Sequence, residues 1–318
     1  MHFLLASAAV ALASAAHAGE WQLANEYPAS SLPGEGDAYF AKLVAQRTKG
    51  RVKIVPVPDA KLGFRSREQM NAVAEGKVAM ADSFGGALAE EVPVLGFSSL
   101  PFVATDIAQA RSMYRAAHGT YDAAFARHNQ KLLYATPWPP SGIWAKQAIT
   151  TAGDLARLKI RTYDLTGSLL FMSLGAKASL VSFSDLAARI ANGEIDAVLS
   201  SGDGGSGRKL WEHFPQFTAI NYAIPLSFTT VNLDSWRGLE DNDRAAIEDA
   251  AHDTELRQWK ALETRLEENY ARMRSNGMTI VTEIPLALRT RLREAAKAAI
   301  DDWSARAGPD AAVLLQQK

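Results

Sequence analysis

Apolar and polar positions alternate around Trp21 and Leu23 in WQLANEYP, which suits a first strand, before turns at Pro28 and Pro33-Gly34. From Gly36 the period lengthens: Tyr39, Phe40, Leu43 and Val44 fall at helical spacing, and Thr48-Lys49-Gly50 stops the run. RVKIVPVP reads as a second strand whose prolines mark an edge or an exit. DAKLGFRSREQM then enters a helix with Ser66 at the N-cap, followed by a strand over 78–82. Helices are expected around 108–117 and 121–128. An apolar segment around Leu158 and Ile160 runs into Arg161, and a helix follows it to Leu174-Gly175-Ala176. LVSFSDLAARIANGEIDAVLSS next gives a strand, a helix capped by Ser182 or Ser184, a stop at Gly193 and a buried strand over 195–199. In the last third Leu256, Trp259, Leu262, Leu266, Tyr270 and Met273 recur every three or four residues. That predicts a helix of about 241–275, longer than about 45 Å at 1.5 Å per residue and able to lie across two domains. MTIVTEIP reads as a strand, and a charged helix over 286–307 closes the chain.

At 318 residues with 47% hydrophobic content the chain is long enough for two cores. A formal net charge of −1 provides no field for nucleic acid or an anionic membrane, and the absence of cysteine excludes disulfides and thiolate chemistry. MHFLLASAAVALASAAHA, ending in the A-x-A pattern Ala16-His17-Ala18, predicts a signal peptide over 1–18 and an extracytoplasmic mature protein. Catalysis finds no support: His118, His128, His213 and His252 are scattered, and neither H-E-x-x-H nor G-x-S-x-G occurs. GDGGSGR lacks the G-K-[ST] ending of a phosphate loop and reads as flexible backbone donors.

The candidate chemistry centres on Arg161. Two parallel strands, one running into Arg161 and one ending at Ser200 and Ser201, finish at one place, and ligands of open α/β sheets sit outside the carboxyl ends of strands. A guanidinium there is suited to clamp a carboxylate with two parallel hydrogen bonds. Tyr163 stands at the same mouth, Arg65 at the mouth of the earlier helix is a second candidate cation, and Tyr222 brings a hydroxyl toward the cleft.

DLARLKIRTYD followed by LGAKASLVSFSDLAARIANGEIDAV resembles the extracytoplasmic solute-binding proteins of TRAP transporters, the DctP-type family. VAQRTKGRVKI, DAKLG, EQMNAVAEGKVAMA and SLPFV fall in the family's order and spacing, while Ala156-Arg157, Asp185 and Ala197 depart from its pattern. The resemblance implies an α/β, two-domain periplasmic-binding-protein fold with two hinge crossings and a long domain-spanning C-terminal helix. The expected division is 19–143 plus about 227–255 for one domain and 144–226 plus part of 256–318 for the other. It further implies ligand contacts at Asn25, Phe183 and Ser200. Phe84 replaces a polar residue of sugar-acid binders. Between Lys131 and Lys146 no cation occurs where dicarboxylate and sialic acid binders place a second arginine; Trp138 and Trp144 stand there instead. The expected ligand is therefore an organic monocarboxylate, first an aromatic 2-oxo or 2-hydroxy acid, second a branched aliphatic 2-oxo acid. No cofactor is expected. The implied partners are the small and large TRAP membrane subunits, for a periplasmic monomer that binds no nucleic acid; a ligand-sensing module without a transporter is the alternative.

Overall fold

The computed structural model describes residues 20–316; the expected signal peptide, 1–18, lies outside the described residues. Eleven strands form two sheets among the described residues. The first contains β1 (Glu20–Asn25), β2 (Lys53–Val57), β3 (Met80–Phe84), β4 (Gln130–Pro137) and β10 (Leu226–Asn232) in the order β2-β1-β3-β10-β4. The second contains β5 (Ser141–Ala145), β6 (Lys159–Thr162), β7 (Lys177–Leu180), β8 (Ala197–Ser201), β9 (Gln216–Thr218) and β11 (Thr279–Val281) in the order β11-β9-β5-β8-β6-β7. β-α-β units supply the parallel pairing among β1, β2 and β3 and among β6, β7 and β8; β10 enters antiparallel to β3 and β4 and β5 antiparallel to β8 and β9, while β11 pairs parallel with β9.

The chain passes between the sheets from β4 to β5 and from β9 back to β10. The two passages are bonded to each other: Trp138 N donates to Pro225 O (2.8 Å), Ser141 N to Ala223 O (3.0 Å) and Tyr222 N to Ser141 O (2.8 Å). A third passage is the 35-residue helix Asp241–Ser275. Its Ile247, Ala250 and Ala251 pack under the first sheet with Leu23 and Phe40, Trp259 and Leu262 join a core with Phe228 and Trp303, and Tyr270 and Met273 pack with Phe217 of the second sheet. One apolar stripe thus serves three cores, as the spacing of its apolar residues predicts.

Three local differences from the sequence reading have physical causes. The helices expected at 108–117 and 121–128 are a single helix, Ile107–Arg127, because a side chain at Gly119 would meet nothing, while Ala117, Tyr121 and Ala124 keep one buried face continuous. Ser66 is the first helical residue; the N-cap is Arg65, whose backbone N–H is accepted by Glu68 (2.9 Å). The glycine-rich GDGGSG is a short helix, Gly202–Gly207, capped by the Ser201 hydroxyl accepting from Gly204 N (3.1 Å). Its glycines serve close packing rather than flexibility: a Cβ on Gly205 would lie 2.1 Å from the Trp144 ring, and one on Gly204 2.8 Å from Ser200 Oγ. A final helix, Pro309–Leu315, lies beyond the closing helix Leu286–Ala307 that the pattern delimits.

Candidate functional site

Arg161 is the third residue of β6, flanked by β7 and β8, and only 2% of its surface is exposed. Its Nε donates to Val181 O (2.8 Å) and Nη1 to Leu199 O (3.2 Å), so the backbone fixes the guanidinium without neutralising it. No described carboxylate lies within 4.0 Å of it. Burial lowers its pKa, an effect opposed by the nearby Tyr27, Glu26, Tyr163 and Asp164. A buried cation without a counter-ion is costly to maintain, so an anion placed here would relieve that cost.

The cation borders a narrow cavity of about 20 Å³ whose wall comes from both sheets: Tyr27, Phe84, Trp138 and Pro225 from the first sheet and its passages, Ser141, Tyr163, Phe183, Ser200, Ser201 and Gly204 from the second. The rings are mutually packed: Tyr27 lies 4.6 Å from Trp138 and 4.5 Å from Phe183 between ring centres, and Phe84 lies 5.1 Å from Tyr163. Two polar ring groups are spent on the wall, since Trp138 Nε1 donates to Ser227 Oγ (3.0 Å) and Tyr163 Oη to Ser141 Oγ (3.2 Å). Burial raises the Tyr27 phenol far above its usual range, so that ring is a neutral wall with a hydroxyl.

Of the residues singled out from the sequence, the structure brings together Arg161, Trp138, Phe84, Phe183, Tyr163, Ser200 and Ser201. It places four elsewhere. Trp144 is fully buried in a different core, against Val198 and Phe217, with Nε1 donating to Ser201 O (3.3 Å). The cause is strand alternation: Ser141, Ile143 and Ala145 point to the cavity side of β5, so Trp144 must point away. Asn25 is used internally, with Oδ1 accepting from Tyr27 N (2.8 Å) and Nδ2 donating to Asp37 Oδ2 (2.7 Å); it turns the chain so that Tyr27, not itself, meets the cavity. Tyr222 is buried behind the wall, with its ring against Phe171 and Phe102 and its hydroxyl unpartnered. Arg65 faces Asp185 in a two-pronged ion pair (2.9 and 3.0 Å) at the cleft edge.

Sequence reasoning missed Tyr27, Ser141, Gly204 and Pro225. Tyr27 carried a legible signal, since it follows β1 at the same end of the sheet as Phe84 follows from β3; the others depend on how the two passages pair. Asp164 caps the helix Leu165–Ser173 by accepting from Gly167 N (2.6 Å), and burial pushes its carboxyl up to about 7.

Comparison with known proteins gives a consistent picture. The family model for bacterial extracellular solute-binding protein, family 7 (DctP), matches residues 23–306. The structure is similar to DctP7 of Bordetella pertussis, an extracytoplasmic solute receptor binding pyroglutamic acid, at TM-score 0.90 and 25% identity, covering 94% of this chain and 99% of that one. It is similar to DctP6 of the same organism, also a receptor binding pyroglutamic acid, at TM-score 0.89 and 29% identity over 94% and 99% of the two chains. A solute-binding protein of Chromohalobacter salexigens is 26% identical over 251 residues, 77% of this chain and 73% of that protein.

Proposed function

The chain belongs to family 7 of the bacterial extracellular solute-binding proteins, receptors rather than enzymes, and we propose that within it this member captures a small organic monocarboxylate on Arg161. The observation that carries the reading is the buried guanidinium, held by two carbonyls and lacking any described carboxylate within 4.0 Å, at the wall of a cavity between the two sheets. The solute carboxylate supplies the missing counter-charge, and Tyr27, Phe84, Trp138 and Phe183 cover the remainder.

The ligand class is narrower than the sequence indicated. An aromatic 2-oxo or 2-hydroxy acid relied on Trp144 as a wall, which lies in another core, and on space that the packed rings occupy. The packed rings leave only about 20 Å³ between them, far below the about 300–1,000 Å³ of an open ligand pocket, so the walls must part to admit a solute. A compact acid such as pyroglutamate, whose ring amide can bond Ser200 or Ser141, asks least of that opening, and the two Bordetella receptors bind that acid.

In this reading two lobes, one for each sheet, close on the solute about the paired passages; the boundary expected at 143/144 moves to the passage before Ser141, where β5 begins. The closed receptor delivers it to the small and large TRAP membrane subunits, acting as a periplasmic monomer. Thermal unfolding of ligand-stripped protein with a panel of acids tests the proposal, because a solute at 100 times its Kd adds about 2.7 kcal/mol. Stabilisation by pyroglutamate and similar compact monocarboxylates is expected. Stabilisation by dicarboxylates alone, or by no carboxylate, would overturn it.

A further inference from the structure

The short helix Gly202–Gly207 turns a different face to each of its neighbours. Gly204 borders the cavity beside Ser200 and Ser201, and Gly205 lies against the Trp144 ring in the core of the second lobe. Asp203 and Gly207, four residues apart and so on one face, meet the first lobe. Asp203 is buried, at 2% exposure, and its Oδ2 accepts from the N–H of Leu32 (2.7 Å), the first residue of the helix Leu32–Arg47. A Cβ on Gly207 would lie 2.8 Å from Pro28 Cγ, in the turn before that helix. Arg265 of the long helix lies 3.6 Å from Asp203 and pairs with Glu35 in the first turn of Leu32–Arg47, so a cation stands beside the crossing. Glu26 crosses the cleft from the other side, accepting from Ser184 N (2.9 Å) as well as from Ser66 N (2.9 Å) of its own lobe.

We infer that Asp203 is the positioning residue of the capture step: it docks the helix that carries part of the solute wall onto the first lobe, and so holds the cleft shut over a solute it does not touch. Its carboxylate meets the N-terminus of a 16-residue helix, where backbone N–H groups lack intrahelical partners and the dipole favours negative charge. Donor and acceptor belong to different lobes, so the bond exists only while the lobes are together. Ser201, Asp203 and Gly204 share one short helix and its cap, so a solute seated against Ser201 and Gly204 sets where Asp203 reaches Leu32. A contact made only after closure slows opening rather than speeding encounter, and therefore acts on koff.

The inference rests on the reading that the lobes close over an acid held by Arg161, and the test separates the two. Stopped-flow fluorescence gives kon and koff for pyroglutamate on ligand-stripped wild type, Asp203→Ala and Asp203→Asn, with thermal unfolding confirming that each variant is folded. Hydrogen exchange at the Leu32 amide is followed in the wild type with and without saturating pyroglutamate. Asp203→Ala is expected to raise koff about tenfold or more while kon stays within about threefold; Asp203→Asn, which keeps an oxygen for Leu32 N, is expected to raise koff less. In the wild type, pyroglutamate is expected to slow exchange at Leu32 about tenfold or more. Equal exchange with and without solute would make Asp203 a static helix cap and overturn the inference, and this arm needs no variant. A folded Asp203→Ala whose koff stays within about threefold of the wild type, or whose affinity is lost through kon alone, would overturn it as well. Failure of the wild type to bind pyroglutamate or any other compact monocarboxylate would overturn the capture reading, and this inference with it.

Discussion

The chemistry of the site turns on single residues whose burial decides their charge state. Arg161 presents a planar fork, so Arg161→Lys, which keeps the charge but loses the paired donors, is expected to weaken solute binding by at least tenfold in calorimetry while the fold persists. Asp164 allows a separate test. Burial raises it to about 7 and raises Asp82 to about 6, whereas an unfolded Asp titrates near about 3.9. The folded protein holds protons over that interval that the unfolded chain releases, so their contribution to stability is complete below about pH 4 and is lost as pH rises through about 6 to 7. Asp164→Asn keeps an acceptor for Gly167 N and has no charge to bury. The fall in Tm between pH 5 and 8 is expected to be smaller in this variant than in the wild type; an unchanged fall would contradict the assignment. Arg161 was legible in the sequence because a cation placed just after the apolar Leu158 and Ile160, near the end of a strand, has few structural uses. Trp144 was misread because its side depends on the phase of a five-residue strand, which the tryptophan, prolines and glycine around it do not set.

At the scale of elements, periodicity located the long helix, with twelve buried residues, and the closing helix, where Leu288, Leu292, Ala296, Ala299 and Trp303 form one buried face. It failed at GDGGSG, where composition points to a loop and packing demands a helix: the backbone must approach Trp144 too closely for any side chain. Two effects oppose each other in Gly205→Ala. Helix propensity alone would stabilise by about 0.5–1 kcal/mol, but the new Cβ would sit 2.1 Å from a buried indole, and overpacking costs about 1–3 kcal/mol. The variant is therefore expected to unfold at a lower urea concentration; a raised midpoint would show that the indole yields freely. Tyr27 shows the same limit from the other side. The alternation that defines β1 was readable, but the Asn25 turn that aims Tyr27 into the cavity is a contact made only after the helix bearing Asp37 has docked.

Across the whole molecule, the cleft is closed by contacts at three depths. Glu26 lies deepest; Asp203, on the short glycine-rich helix, accepts from Leu32 N (2.7 Å) and lies 3.6 Å from Arg265 of the long helix; Arg65 and Asp185 meet at the edge with side chains 38% and 40% exposed. An exposed pair contributes about 0–1 kcal/mol and is screened by salt. Arg65→Ala is accordingly expected to leave unfolding unchanged and to weaken solute binding less than about fivefold, with the difference from wild type vanishing in 1 M salt. A large, salt-independent loss would make Arg65 a direct solute ligand. None of these contacts was visible in the sequence, because each joins segments distant in the chain through a closure that no local pattern encodes. The α/β class, the long spanning helix and the Arg161 strand were visible, since each leaves a periodic or positional trace.

The central claim is that Arg161 receives the solute carboxylate, and titration of pyroglutamate into ligand-stripped wild type and Arg161→Ala by calorimetry tests it most directly. The account predicts saturable one-to-one binding by the wild type and a loss of about 2 to 5 kcal/mol in the variant, roughly a thirtyfold to several-thousandfold rise in Kd, with the variant folded by circular dichroism. Binding by folded Arg161→Ala within threefold of the wild type would contradict it.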